Sequence, residues 1–278
     1  GTVVALGGSA WLAADHRHRG PGVEQALGGG AAVAAGGRQA LDAFTVLRVL
    51  SLRAALTRLE VGLHGQHFGA FVQGFDTGVL GWDGVAWQRR VERAAPAWIE
   101  RQMQRAVARY RDIFGEAPRA HAAAGWQTSA HALRLTQRLG FGFASDTRGT
   151  HPFVPVWNGE VTLCPQLPVT LPALDELLGQ QGCDVGNVHE RLLGLTALAP
   201  ATGHVFSLQA DLALALQPTV EKLLEGWQRQ GYEIVSLGNL YESIDASRLP
   251  RHTLVRGSVG GRAGSLVLQG PEFLATKP

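Results

Sequence analysis

The sequence predicts an α/β protein whose parallel strands form a sheet or a barrel. Strand and helix patterns alternate from residue 74 onward, and helices of this length are typical connections between parallel strands. The chain has 278 residues, enough for one large α/β domain with a sizeable core. We divide it into residues 1–73, which are rich in Gly and Ala and weakly periodic, and residues 74–278, where the elements are regular.

The predicted elements before residue 90 centre on a glycine-rich turn. Phe75–Leu80 is predicted to be a short buried strand, and Gly81, Asp83 and Gly84 turn the chain after it. Such a turn at a strand end is where α/β folds place their chemistry. Val3–Ala14 is predicted to be a strand or loop rather than a signal peptide, because no basic residues precede it.

Three helices are predicted beyond this turn from their first and last residues. Pro96 begins a helix whose apolar residues share one face as far as Phe114. Ser129 is the predicted N-cap of a second helix, which ends before Gly140. The predicted third helix is Gln217–Gln230. The predicted strands in this part of the chain are Phe141–Ser145, His204–Gln209 and Glu233–Leu237.

Composition excludes several classes of protein. The net charge of +2 does not favour a nucleic-acid partner. Cys164 and Cys183 form no C-x-x-C pair, which argues against a disulfide scaffold or a thiolate zinc site and is typical of a reducing compartment. No apolar run reaches about 18 residues, so no transmembrane helix is expected. The glycine-rich stretches 7–11 and 260–264 lack the ending of a phosphate-binding loop, so we predict no nucleotide site.

Several polar residues have both a functional and a structural interpretation. His64 and His67 would share a face of a helix and could bind a metal, or they are exposed loop histidines. His16 and His18 lie among arginines and could meet phosphate, or they belong to a solvated basic loop. Asp83 could bind an ion or stabilise its turn.

Five stretches of the sequence together resemble one enzyme family. In this order and spacing they resemble the deformylase branch of the polysaccharide deacetylase superfamily, over about residues 74–268. The stretches are GFDTGVLGWDGVAWQ (74–88), HAAAGWQ (121–127), ASDTRGTHPFVP (144–155), PQLPVTLPALDELLG (165–179) and LVRGSVGGRAGSL (254–266).

The resemblance implies a distorted (β/α) barrel that holds one divalent, zinc-like metal. It implies a hydrolase that removes a formyl group from 4-deoxy-4-formamido-L-arabinose on undecaprenyl phosphate, at the cytoplasmic side of the bacterial inner membrane. The product modifies lipid A and confers resistance to cationic peptides. In this family an aspartate of an Asp-x-Asp pair and two histidines four residues apart hold the metal. The other aspartate is the general base, and a late histidine is the general acid.

This chain departs from the family pattern at those positions. The two histidines fall on Leu80 and Gly84, which have no lone pair to offer a metal. The late histidine falls on Gln209, which can hydrogen-bond a substrate but cannot transfer a proton. The nearest match to the Asp-x-Asp pair is Asp15, and the family arginine after Gly-Trp falls on Gln127. We therefore expect the metal to be absent or weakly bound, with Asp15 and Gln209 at the catalytic positions.

The resemblance also suggests substrate contacts. Trp126 could stack on a sugar ring, or it is a core aromatic. Asp146 and Arg148 could contact the sugar or phosphate, or they form a structural ion pair. Arg256 and Arg262 could bind the carrier phosphate, or they are surface arginines that tie down the C-terminal segment.

Three hypotheses follow for the function. The first is a deformylase that acts on a lipid-linked amino sugar at a membrane surface. The second is a catalytically inactive relative that binds the same lipid-linked sugar. The third is an altered reading frame over residues 1–73, which the composition of that part would suit. Metal content and formate release distinguish the first two hypotheses.

Overall fold

The computed structural model describes residues 3–9, 63–64, 96–114, 117–180, 182–198, 202–262 and 264–274. The predicted strand Phe75–Leu80 and the predicted roles of His16, His18, His67 and Asp83 lie outside the described residues. Within them, strands and helices are mixed along the chain, which confirms the α/β class. None of the described helices is both long and apolar enough to cross a membrane.

Ten strands are described, and they form three sheets. Numbered in chain order, they are β1 (Val3–Ser9), β2 (Leu63–His64), β3 (Ala120–Ala122), β4 (Phe143–Ala144), β5 (Val154–Trp157), β6 (Glu160–Val161), β7 (His204–Gln209), β8 (Glu233–Ser236), β9 (Arg251–Gly257) and β10 (Leu266–Glu272). Two sheets are parallel, in the orders β7–β1–β8 and β2–β3–β4. The third, of order β10–β9–β5–β6, is mixed.

Seven α-helices are described, together with two short 3₁₀ turns. The α-helices are α1 (Pro96–Phe114), α2 (Ala130–Arg138), α3 (Leu174–Leu177), α4 (Val188–Leu195), α5 (Ala210–Ala215), α6 (Gln217–Arg229) and α7 (Leu237–Glu242). The 3₁₀ turns cover Ala124–Trp126 and Ala246–Arg248.

The predicted helix ends are confirmed because local capping chemistry fixes them. The Ser129 hydroxyl accepts a hydrogen bond from the Ala132 N–H at 3.2 Å and so begins α2. Gly140 follows α2 with a φ of +79°, and Gly231 follows α6 with a φ of +86°. Glycine reaches this left-handed region without the steric cost of a Cβ, so it ends a helix cleanly.

Replacing Ser129 with Ala should lower the free energy of unfolding by about 1 kcal/mol, because an N-terminal N–H of α2 loses its acceptor. A shift of the urea midpoint without a change in slope would report this loss. Ser129→Thr, which keeps a hydroxyl, is the control and should restore most of the stability. Equal midpoints for the Ala and Thr variants would contradict the capping role.

The sheet β7–β1–β8 is covered on both faces. Side chains alternate along a strand, so neighbours on β7 and β8 face opposite ways. Phe206 and Ile234 pack with α4 and α6 on one face. Val205 and Val235 pack on the other face with residues of β3, β4 and the following loops, namely Ala120, Phe143, Leu167 and Val169. The two parallel sheets therefore share one core, as expected for parallel strands buried on both sides.

β1 comes from the Gly- and Ala-rich first part of the chain and is the central strand of its sheet. It pairs with β7 from Val4 to Ser9 and with β8 from Val3 to Leu6. The strand alternative for Val3–Ala14 is therefore confirmed over Val3–Ser9. The division of the chain at residue 73 stays a prediction, although this part contributes a strand to a sheet formed with the later part.

Candidate functional site

The candidate site lies where β3 and β4 end, side by side. A 3₁₀ turn containing Gly125 and Trp126 follows β3, and the segment Ser145–Gly149 follows β4. Gly125 and Trp126 both adopt left-handed backbone angles, with φ values of 58° and 55°. This conformation is strained for a tryptophan, so the surrounding contacts must hold it in place.

Asp146 and His121 form a buried pair at this strand end. Asp146 is fully buried, and its Oδ1 lies 2.7 Å from Nδ1 of His121. The backbone N–H of Asp146 donates to Oε1 of Gln166 at 2.9 Å, which fixes the loop that carries the carboxylate. A carboxylate on one ring nitrogen fixes the orientation of the imidazole, an arrangement found in metal sites and in catalytic triads.

The structure pairs His121 with Asp146, which the sequence had singled out. His121 itself was not predicted as a site residue. His121 lies in the middle of β3, opposite Ala144 of β4, and Asp146 follows two residues after Ala144. Parallel pairing of β3 with β4 is therefore the signal that would have found it.

Arg148 is held entirely by protein groups that the structure describes. Its Nη1 donates to both carboxylate oxygens of Glu176, at 2.8 Å each. Its Nε donates to the Val169 carbonyl at 3.2 Å, and its Nη2 to the Leu171 carbonyl at 3.0 Å. The predicted ion pair between Asp146 and Arg148 is therefore wrong, because each has a different partner. With these donors engaged, little of the guanidinium remains for a substrate.

Glu176 joins Arg148 to the C-terminal segment. Its Oε1 also accepts from Nε of Arg262 at 2.9 Å, and Nη2 of Arg262 donates to Asp175 at 3.1 Å. Burial would raise the pKa of Glu176, but the charges of Arg148 and Arg262 outweigh it and hold the pKa below its ordinary value. The prediction of Arg262 as a surface arginine is wrong, because its side chain is only 13% exposed. Its role in tying the C-terminal segment to the core agrees with these contacts.

Trp126 lies between the two arginines of this network. Its ring is 4.8 Å from the guanidinium carbon of Arg148 and 4.7 Å from that of Arg262. Trp126 is 7% exposed and belongs to the shared core. The structure thus places it as a core aromatic that stacks on arginines.

Gly261, in the glycine-rich stretch, packs closely against α3. Gly261 has a φ of +79°, and a Cβ there would clash with the backbone carbonyl of Glu176. Close approach to α3 therefore requires the glycine. Nearby, the side-chain amide of Gln127 donates to the Ser265 carbonyl at 3.0 Å.

Four of the five stretches that carry the family resemblance thus meet in one place. Stretch 121–127 supplies His121, Trp126 and Gln127, and stretch 144–155 supplies Asp146 and Arg148. Stretch 165–179 supplies Gln166, Asp175 and Glu176, and stretch 254–266 supplies Arg262 and Ser265. Their three groups of contacts, around Asp146, around Glu176 and between Gln127 and Ser265, are together called the four-segment network below.

The other predicted site residues are placed only in part. Asp15, Leu80 and Gly84 lie outside the described residues. Gln209 is the last residue of β7, opposite Ser9 of β1. His64 ends β2 and pairs with Ala122 of β3. Both interpretations of His64, as a helical residue and as a loop residue, are therefore wrong.

The described residues bring no three His, Cys, Asp or Glu side chains together in a group that could hold a metal. Both cysteines are free thiols. Burial raises the pKa of Cys164 to about 12, so this thiol is not a nucleophile at neutral pH. Arg256 is exposed, and its guanidinium carbon lies 5.5 Å from the ring of Trp157. Its contact with a carrier phosphate stays a prediction.

Two relatives found by comparison with known proteins carry the same name. The chain is 27% identical over 194 residues to a protein of Shewanella sediminis (strain HAW-EB3) named "Probable 4-deoxy-4-formamido-L-arabinose-phosphoundecaprenol deformylase ArnD". The match covers 69% of this chain and 61% of that protein. A protein of the same name from Wigglesworthia glossinidia brevipalpis is 28% identical over 104 residues, which are 37% of this chain and 36% of that protein. The resemblance to this family is confirmed, although the chain spans less than two thirds of either relative.

No protein-family model matches the chain. Among solved structures, the Xyl-CE4 domain of a multidomain xylanase from the hindgut metagenome of Trinervitermes trinervoides aligns with a TM-score of 0.44 and 11% identity. That alignment covers 87% of this chain and 90% of the domain. A TM-score of this size supports no inference about function.

Proposed function

We propose that this chain, a relative of the 4-deoxy-4-formamido-L-arabinose-phosphoundecaprenol deformylases, is a carbon–nitrogen (amide) hydrolase with the deacetylase type of distorted (β/α) barrel. The convergence of four family stretches on one buried network supports the proposal. Chance sequence matches would have no reason to meet around the same few side chains. The proposed substrate is the formamido sugar on undecaprenyl phosphate that the relatives' name gives.

The reaction would add water to the formyl carbon and break the carbon–nitrogen bond, releasing formate and the free amino sugar. Asp146 and His121 are the described pair best suited to take part, since the carboxylate fixes the ring on which a proton or hydrogen bond would be carried. Gln209 can donate a hydrogen bond from its amide but cannot deliver the proton that the leaving nitrogen needs. We assign Asp146 a positioning role that acts through His121.

The divalent metal of the family needs a ligand set, and the described residues do not supply one. The positions carried over from the family, Asp15, Leu80 and Gly84, lie outside the described residues. We therefore derive no step through a metal. The domain division at residue 73 and the catalytic roles of Asp15 and Gln209 remain parts of the proposal.

We further propose that the chain meets its substrate as a peripheral protein at the cytoplasmic surface of the bacterial inner membrane. The carrier in the relatives' name is a polyprenyl phosphate, whose lipid tail keeps it in a bilayer. The resemblance also connects this step with lipid A modification and resistance to cationic peptides.

A second candidate is a relative that binds the lipid-linked sugar without hydrolysing it. Two observations favour it. Gln209 stands where the family has its proton-transferring histidine, and Gln127 stands where it has an arginine. Neither amide titrates, so neither replaces the lost proton transfer or fixed charge.

Formate release from a formylated amino-arabinose polyprenyl phosphate tests the proposal. We expect one formate for each free amine. Asp146→Asn should lower kcat about 10- to 100-fold, because the His121 ring loses its charged anchor. Asp184 is exposed on the turn before α4. The control Asp184→Asn makes the same chemical change there and should leave the rate unchanged. No formate from folded protein that still binds the lipid would overturn the hydrolase proposal and leave the second candidate.

A further inference from the structure

Two histidines meet outside the four-segment network, between the loop after β4 and the β9–β10 hairpin. Nε2 of His151 lies 3.1 Å from Nε2 of His252, and the rings are edge to face. The packing around them is tight. A Cβ on Gly149 would clash with the side chain of Gln269, which lies over the same loop.

The hydrogen bonds around His151 determine where its proton sits. The backbone N–H of Thr150 donates to Oε1 of Gln269 at 2.7 Å, which fixes the orientation of this side-chain amide. The amide nitrogen of Gln269 then faces Nε2 of His151 at 3.1 Å. An amide nitrogen only donates, so Nε2 of His151 must accept. The ring proton of neutral His151 is therefore on Nδ1, 2.9 Å from the Thr150 hydroxyl oxygen.

The same reasoning applies to His252. Its Nδ1 lies 2.8 Å from the Gly270 carbonyl oxygen, which can only accept, so Nδ1 of His252 carries a proton. With both rings neutral, the unprotonated Nε2 of His252 would lie 3.1 Å from Nε2 of His151, an acceptor already engaged by Gln269. One additional proton on His252 removes this contact between two acceptors, since its Nε2–H and the Gln269 amide can then share the single lone pair of His151.

We propose that His151 and His252 share one proton, and that this proton fastens the loop after β4 to the β9–β10 hairpin as a pH-dependent latch. The loop continues directly from Ser145–Gly149, which carries Asp146 and Arg148. The latch would therefore set the position of the segment that supplies two residues of the four-segment network.

The surrounding charges are compatible with this distribution of protons. Burial and the neighbouring His252 lower the pKa of His151, which suits a neutral acceptor, while Glu272 opposes that shift. Glu272 pairs with His252 across the β9–β10 ladder and would stabilise a positive charge there. Arg251 precedes His252, is exposed, and points to the other face of β9. Arg148 is neutralised by Glu176.

A metal ion between the two rings is the competing explanation. The structure offers two nitrogens, whereas zinc takes four ligands. The donor group of Gln269 also points at the same Nε2, where it would repel a cation. These observations favour a proton.

The shared proton has a defined effect on stability. The unfolded chain binds two protons at this pair below the ordinary histidine pKa of about 6.5 and none well above it, while the folded pair holds one across this range. On the acid side, the unfolded chain binds one proton more than the folded chain does. Stability is therefore lost as the pH falls through the lowered pKa of His151. On the alkaline side, loss of the shared proton breaks the hydrogen bond between the two rings and removes its contribution to stability. The contribution therefore peaks near the ordinary value, and the unfolding equilibrium constant changes by up to about tenfold per pH unit on either side.

Histidine side-chain NMR of the isotope-labelled full chain, titrated from about pH 4 to about pH 9 in the presence of a chelator, tests the latch. We expect signals of one proton shared between the two Nε2 atoms, with a neutral His151 ring that is protonated on Nδ1. Independent titration of both rings near the ordinary value would overturn the proposal. A spectrum that changes at the pair on addition of zinc chloride but not with pH would overturn it in favour of a metal site.

Two variants provide a second readout. His151→Leu removes the acceptor, so the signals of the shared proton should disappear and the stability maximum should flatten. His189→Gln on α4 changes a histidine outside the latch and should leave both unchanged. An unaltered titration of His252 in the His151→Leu protein would show that no proton is shared.

Discussion

Glu176→Gln should destabilise the protein by about 3–5 kcal/mol, because it leaves Arg148 without its described counter-charge and leaves Arg262 with Asp175 alone. Glu176 is 3% exposed and accepts hydrogen bonds from both Arg148 and Arg262. Glutamine has nearly the same shape, so the loss would come from charge rather than from packing. Chemical denaturation at neutral pH, with the slope compared between variants, measures the change.

The matched control is Glu160→Gln, which affects the exposed pair between Glu160 and Arg134. Exposed ion pairs contribute little, so this variant should unfold close to the parent protein. The pKa of Glu176 is lowered in the folded state, so its contribution is complete above the unfolded pKa and is lost as the pH falls through the folded one. The Glu176→Gln variant and the parent protein should therefore converge in stability as the pH is lowered. A Glu176→Gln protein as stable as the control would show that the arginines have another counter-charge.

Trp126→Ala should cost about 3–5 kcal/mol, the usual penalty for removing a large aromatic side chain from a core. The ring packs between Arg148 and Arg262, and alanine would leave a void between two guanidinium groups. The left-handed backbone at this position would not be relieved, since alanine also has a Cβ. Thermal and denaturant unfolding both report the loss.

Trp157→Ala is the control for this variant, since Trp157 on β5 is partly exposed and stacks on a single arginine, Arg256. It should lose clearly less stability. The Trp126→Ala and Glu176→Gln losses should not add up, because both disturb Arg148 and Arg262. If Trp126→Ala weakened sugar binding but unfolded like the parent, Trp126 would be a sugar-stacking residue rather than a core aromatic.

The sequence predicted elements whose signals are local. The Ser129 cap, the Gly140 and Gly231 stops and the alternating pattern of His204–Gln209 lie within a few residues of what they determine. The helix and strand types therefore followed from the chain itself. The family resemblance likewise picked out Asp146 and Arg148.

The partners of those residues could not be predicted, since they depend on which strands lie side by side. Asp146 binds His121 because β3 and β4 are parallel neighbours, and Arg148 binds Glu176 because α3 packs beneath the same loop. Spacing along the chain contains neither fact. The ion-pair alternative for Asp146 and Arg148 failed for this reason, because each side chain pairs with a residue from another part of the fold.

The central place of β1 has a consequence for biosynthesis. Its two hydrogen-bonding neighbours, β7 and β8, are about two hundred residues away, so this sheet cannot assemble until the ribosome has made most of the chain. Contacts of such long range slow folding and leave apolar strands unpaired meanwhile. The nascent polypeptide should depend on chaperones until β8 emerges.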